Sequence, residues 1–304
     1  MSLRLGYITF GEGNSSGLRH YQADSHLYAW LEAKGLDFDL ITDQELHEKG
    51  VDSIKGYKAL CTGSHPEYHT PQTLNAIQSY RNQGGRLIYL GGNGFYWKIA
   101  LSPENPSLIE IRRGESGIRA WAAEPGEYYH SFNGSYGGLW RRNGRPPQML
   151  VGVGFSAQGK FEGSYYRRTE ESQNPQLAWM FEGIEDQEIL GDFGFSGGGA
   201  AGYELDRADT RLGSPENVQV IEQSENHTPS FLLVPEEMLT HTTNWPGEEE
   251  QQKLIRADIV YFETPSGGMV FSTGSITFCG SLPWNNFDNN ISRLLENVMN
   301  RFLR

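Results

Sequence analysis

"KALCTGSHPEYHTPQTLNAIQSYRNQGGRLIYLGGNG", Lys58 to Gly94, decides the fold. Lys58 to Gly63 is a compact apolar run of strand length, and Arg86 to Gly92 is a second. Between them Thr70 and Pro71 make an N-cap and first helical residue; Leu74, Ile77 and Tyr80 follow on one face, and Gly84-Gly85 ends the helix. Strand, helix and strand at these lengths predict two parallel strands joined by a right-handed crossover. Function in such sheets collects beyond the carboxyl ends of the strands. Two polar stretches of this segment, Gly63 to Thr70 and Gly91 to Gly94, fall there.

The surrounding chain extends the pattern. "RLGYITF" (Arg4 to Phe10) and "FDLIT" (Phe38 to Thr42) read as strands, and Leu27, Tyr28, Trp30 and Leu31 share a helical face that Gly35 closes. Beyond Pro103 the helical periodicity fades; "QMLVGVGF" (Gln148 to Phe155) and "NVQVIEQ" (Asn217 to Gln223) read as strands between turns. "DIVYFETPSGGMVFSTGSI" (Asp258 to Ile276) is a pair of strands around a Pro-Ser-Gly-Gly turn, and Ile291, Leu294, Leu295, Val298, Met299 and Phe302 repeat at helical spacing. The expected class is α/β: a flavodoxin-like or class I glutamine amidotransferase-like parallel sheet flanked by helices, with a long β-rich insertion. The expected core is residues 1–104 plus 268–304, with 105–267 inserted and packed upon it.

Composition narrows the functional classes. With 38 acidic against 25 basic residues the net charge is −13, and no Lys/Arg block interrupts the excess. The cationic surface that neutralises phosphate is missing, so neither a nucleic acid nor an anionic membrane is an expected partner. Cys61 and Cys279 each lie in an apolar stretch and read as buried thiols in a reducing compartment. No apolar run approaches the roughly 18 residues of a membrane span, and the N-terminal run has no charged and apolar leader. A cytoplasmic protein is expected.

Within "GSHPEYHT", His65 and Glu67 stand two apart and share a face of an extended segment. His65 offers a base or ligand near neutral pH, Glu67 hard anionic oxygen, and Tyr68 a phenol. The same residues also suit a polar turn in which Glu67 faces the positive end of a helix. In "GGNGFYW" the place of a nucleophile elbow carries neither Cys nor Ser, which disfavours an acyl-enzyme there. Gly92 and Gly94 would let backbone N–H groups approach a substrate, with Asn93 or Tyr96 to orient it; tight turn and aromatic packing is the alternative.

Three further clusters are weaker. Glu127, Tyr128, Tyr129, His130, Arg141, Arg142 and Arg145 describe a pocket rim or a loop pinned by stacking and ion pairs. "GFSGGGAAGYELDRAD" (Gly194 to Asp209) suggests an anion-binding nest or close backbone packing, with Asp206 and Arg207 as a local pair. Ser272, Ser275, Asn285 and Asn286 stand after the closing strand, as crevice groups or as caps.

Tyr57 to Trp97, Glu124 to Phe155, Gly197 to Arg207 and Phe271 to Leu282, with Asp288 to Phe302 downstream, together resemble the C-terminal domain of the N,N-dimethylformamidase large (β) subunit and its relatives. The resemblance implies a glutamine amidotransferase-like core and hydrolysis of a small formamide at a mononuclear iron held by tyrosinate and glutamate oxygens. By position it makes Glu67 the iron-ligand candidate and His65 the adjacent catalytic residue. Asn93 is then a catalytic orienting group, and Tyr68, Gly92, Gly94 and Tyr96 are substrate-binding candidates. The family's ligand tyrosines precede the His-x-Glu segment, where Tyr21 and Tyr28 stand, and Tyr21 is the metal candidate of the two. Implied partners are a small amide-like molecule and a small subunit or a second copy. Three readings stay open: a metal-assisted amidohydrolase, a metal-free hydrolase using His65 and Glu67, and a non-catalytic domain that keeps the crevice for a ligand or subunit.

Overall fold

A computed structural model describes residues 20–113, 127–240 and 247–304. In chain order the first half contains α1 (Tyr21–Ala33), α2 (Asp43–Lys49), β1 (Ala59–Cys61), β2 (Tyr68–His69), α3 (Pro71–Asn82), β3 (Arg86–Tyr89), β4 (Trp97–Leu101) and β5 (Ile109–Ile111). There follow α4 (Gln148–Val151), β6 (Gly154–Arg168), β7 (Ala201–Arg207), β8 (Gln219–Glu225), β9 (Leu232–Leu233), α5 (Pro235–Thr240), α6 (Glu248–Leu254), β10 (Asp258–Glu263), β11 (Met269–Ser272) and α7 (Asn290–Phe302). No helix among the described residues is long and apolar enough to cross a membrane.

The main sheet runs β1-β3-β11-β10-β8-β6-β7, with β9 paired to β6. As the opening segment requires, β1 and β3 are parallel, and β11 returns parallel to β3 on its other side. The remaining pairs, β11–β10, β10–β8, β8–β6 and β6–β7, are antiparallel. The result is a mixed α/β sheet rather than the parallel one expected, because the Pro-Ser-Gly-Gly turn folds β10 back on β11 as a hairpin and the strands before it continue that sense. Period-2 alternation sends Leu87, Tyr89 and Val270 to one face and Ile88 and Phe271 to the other. The first face packs on Leu74, Ile77 and Tyr80 of α3; the second packs on Trp30 of α1 and on Leu294, Leu295 and Phe302 of α7. Each such buried aliphatic or aromatic side chain contributes about 1.5–3 kcal/mol. Helices thus flank both faces, the core being held by residues whose spacing was readable.

Two expected strands are not strands. Phe38 to Thr42 forms no strand, and Leu40 and Ile41 face outward. Gln148 to Val151 forms the one-turn α4, closed by Gly152 at φ 82°, and β6 starts only at Gly154. Arg4 to Phe10 lies outside the described residues.

Two features place the site. A small second sheet pairs β2 parallel to β4 and β4 antiparallel to β5, so the segment after β3 is stitched to the segment after β1. The long β6 pairs β8 with one half and β7 with the other. This carries β7 across the ends of β3 and β11, where Leu205 bridges Ser275 and the Asp206 N–H donates to the Gly274 carbonyl at 2.8 Å.

Candidate active site

His65 follows β1, and the chain around it is held by backbone bonds to the turn after β3. Gly92 N–H donates to Ser64 O (3.2 Å), Phe95 N–H to Pro66 O (2.7 Å), and both Tyr96 and Trp97 N–H to Glu67 O (3.0 Å each). On the other side Asp24 of α1 accepts from the Ser64 N–H and hydroxyl at 2.7 and 2.9 Å. Thr70 caps α3 by accepting from Thr73 N–H, so the His65–Thr70 stretch both starts a helix and lines the crevice.

The ring of His65 is nearly buried, with Nδ1 3.0 Å from the Gly92 carbonyl and Nε2 2.8 Å from Glu67 Oε2. A second carboxylate, Glu204 of β7, lies 3.5 Å from Nδ1. Both nitrogens face acceptors, an arrangement that suits a doubly protonated imidazolium beside a carboxylate. Burial works against the charged ring, but the Glu67 hydrogen bond and the charges of Glu204 and Glu67 outweigh it, and the net shift of His65 is upward. Burial likewise pushes Glu67 up, and the His65 contact, with help from the Tyr68 hydroxyl and Arg113, brings it below the usual carboxylate range.

Asn93 completes the cluster. Its side-chain amide donates to Glu67 Oε1 at 3.2 Å, and its own Oδ1 is buried with no hydrogen-bond partner among the described residues. The backbone here is left-handed, φ 51° at Asn93 and 55° at Phe95. Glycines flank it for steric reasons: a Cβ at Gly92 would stand 2.6 Å from the Glu204 carbonyl, and one at Gly94 2.6 Å from the Tyr89 ring. Beside His65 and Glu67 opens a cavity of about 620 Å³, lined by His20, Tyr28, Cys61 and Phe95 among others. A larger groove of about 1090 Å³ beside Trp179, Tyr261 and Arg301 shares no lining residue with it; the buried pair His65 and Glu67 lines the smaller cavity.

His65, Glu67, Gly92, Asn93 and Gly94 therefore come together. Tyr68 lines the cavity at the rim, its hydroxyl accepting from Arg113 at 2.7 Å. Tyr96 is buried against Trp97 and Phe155. Tyr21 begins α1 with its ring exposed, one turn before Asp24, and Tyr28 stacks on Phe38. Among the described residues no group of three His, Cys, Asp or Glu gathers as a metal cage. Among the described residues the Glu67 carboxylate has the chemistry of a hard oxygen ligand, and it is already oriented by His65, Asn93 and Tyr68, as ligand carboxylates are by their surroundings.

Other expectations resolve structurally. Asp206 and Arg207 are not a pair: alternation along β7 sends them apart, Arg207 to Asp209 and Glu237 (3.1 and 2.5 Å) and Asp206 to Tyr89 and Asn93. Ser272 donates to Val151 O and Ser275 accepts from Gly202 N–H, so these two hydroxyls tie distant backbone segments together; Asn285 closes its own turn on the Asp288 carbonyl, and Asn286 lies exposed beside it. The glycine run before β7 packs on β6, Gly163 N–H donating to Gly197 O at 2.7 Å. Arg145 stacks on Trp140 and bonds Asn75 and Gln78, pinning its loop. Sequence reasoning missed Glu204, Asp206, Tyr89 and His20, whose ring lies 4.6 Å from that of His65. The available signal was the spacing of Glu204 and Asp206, two apart on one strand face.

Comparison with known proteins places this geometry in context. The family model described as N,N-dimethylformamidase beta subunit-like, C-terminal matches residues 5–290. The N,N-dimethylformamidase beta subunits of Paracoccus aminophilus and Alcaligenes sp. are 43% and 41% identical over 282 residues. Each alignment covers 93% of this chain and 37% of the relative, so the chain spans little more than a third of their length.

Proposed function

The chain belongs to the N,N-dimethylformamidase beta subunit-like C-terminal family, and on that premise we propose that His65, Glu67 and Asn93 form the site of a small-amide hydrolase. The observation that carries the proposal is the buried His65–Glu67 pair, backed by Glu204, on the wall of a cavity. Hydrolysis adds water oxygen to the carbonyl carbon, breaks the C–N bond and sends a proton to the departing nitrogen. An imidazolium held between two carboxylates is suited to give that proton, and Glu67 and Glu204 hold the charge until it moves. Asn93 keeps Glu67 in place, and its Oδ1, with no partner among the described residues, can accept from water or amine. Tyr68 at the rim is the substrate contact, while Gly92 and Gly94 allow the close backbone approach.

The iron implied by the family resemblance is part of the proposal. Glu67 would hold it, with Tyr21 as the tyrosine candidate. Bound there, iron would polarise the amide carbonyl and make water a stronger acid. The relatives are named as beta subunits, and we extend the proposal to a companion subunit or second copy. The unpaired thiols of Cys61 and Cys279 suit a cytoplasmic setting. The test is His65→Gln in the protein purified with its native companions: formate release from N,N-dimethylformamide is expected to fall by about 10²–10⁴-fold. Undiminished release would reject the assignment of His65.

A further inference from the structure

We infer that Asp206 and Tyr89 are positioning residues, a buried latch that holds the Asn93 turn in its left-handed conformation and thereby sets the reach of Asn93 to Glu67. The inference rests on the reading of the site proposed above.

Asp206 and Tyr89 are both fully buried. Asp206 Oδ1 accepts from the Asn93 N–H at 2.7 Å, and Oδ2 accepts from the Tyr89 hydroxyl at 2.8 Å. The same hydroxyl oxygen accepts from the Gly94 N–H, also at 2.8 Å. Two successive amides of the turn are therefore bound, one directly by the carboxylate and one through the phenol. Left-handed backbone is unfavourable for non-glycine residues and persists only where its surroundings over-determine it. Asn93 and Phe95 both adopt it here, on either side of Gly94.

The latch is itself anchored at both ends. Tyr89 is the last residue of β3, packed in the core, and Asp206 is fixed by the β7 bond to Gly274. Among the described residues no Arg or Lys side chain is bonded to Asp206, and the neighbouring Arg207 is engaged by Asp209 and Glu237. Its two oxygens serve the turn and the phenol. A buried carboxylate in that position is expensive to keep, and burial, resisted by the Asn93 and Tyr89 bonds, leaves Asp206 raised to about 7. Its retention is explained if the turn needs a double acceptor there. The Asn93 side chain then projects from a fixed backbone onto Glu67 Oε1.

Tyr89→Phe, which keeps the ring volume, and Asp206→Ala are compared with the unaltered protein by amide hydrogen exchange at Asn93 and Gly94 and by amide turnover. Exchange at both amides is expected to quicken by about tenfold or more in each variant. kcat is expected to fall by about tenfold or more with KM within about twofold, as loss of positioning requires. Unchanged exchange in a folded Tyr89→Phe variant would overturn the latch. Faster exchange with unchanged kcat would overturn its role in positioning Asn93. Should the unaltered protein hydrolyse no amide, the proposed function fails, and the exchange measurement still decides the latch.

Discussion

Both nitrogens of His65 meet acceptors, so its protonation follows from its neighbours. Replacing Glu67 with Gln removes a charge and its charge-assisted bond, and the His65 pKa, followed by NMR titration of the ring, is expected to move down; an unmoved titration would mean that Glu204 and the Gly92 carbonyl suffice. Glu222 is a second telling residue. It is fully buried, neither oxygen has a hydrogen-bond partner among the described residues, and burial, eased by Arg168, raises it to about 8. A carboxyl raised in the folded state keeps its proton there while the unfolded chain has lost it, so stability falls as pH rises from the unfolded value toward 8. Asp206 acts with the same sign up to about 7, and the raised His65 adds stability that is likewise lost as pH climbs through its folded pKa. Glu222→Gln is expected to flatten this decline and to stabilise the protein by about 2 kcal/mol at the alkaline end; a denaturant titration across pH that keeps its full slope would contradict it. His65 and Glu67 were legible because they are sequence neighbours. Glu204 and Asp206 were not, since nothing local says which strand ends β7 will cross.

Elements with strong local signals came out as read. Thr70 and Pro71 start α3, the helical spacing of Ile291 to Phe302 becomes α7, and the Pro-Ser-Gly-Gly turn makes the β10–β11 hairpin. Thr70→Ala is expected to lower stability by about 1 kcal/mol in urea unfolding. Gly92→Ala must push a Cβ into the Glu204 carbonyl, and a loss of about 1–3 kcal/mol is expected. A Gly92 variant as stable as the parent would mean that the two strand ends lie farther apart than described. Phe38 to Thr42 and Gln148 to Phe155 misled because a short apolar run fits a strand, an outward-facing segment or a buried turn equally well. Only the partners available in the fold choose among them.

At the scale of the molecule, one sheet joins β1 and β3 to strands as distant as β10 and β11. Local pattern reading separated an α/β layer from β-rich residues, and the hydrogen-bonded ladder runs through both: β3 and β11 on one side, β10, β8, β6 and β7 on the other. The strand-helix-strand unit was legible, whereas the antiparallel continuation depended on register between distant strands. Continuity of the ladder implies that heat should melt the described fold as one unit; calorimetric and van't Hoff enthalpies are expected to agree, and two resolved transitions would contradict a shared sheet.

Ordering by the same ladder brings Glu204 and Asp206 to His65, Glu67 and Asn93, and the proposed chemistry depends on that meeting. The most direct test is formate release from N,N-dimethylformamide by the protein with its native companions, compared with its Glu67→Gln variant. Turnover in the parent and a loss of about 10²-fold or more in the folded variant is the expected result. Equal turnover in the two would contradict the assignment of the site.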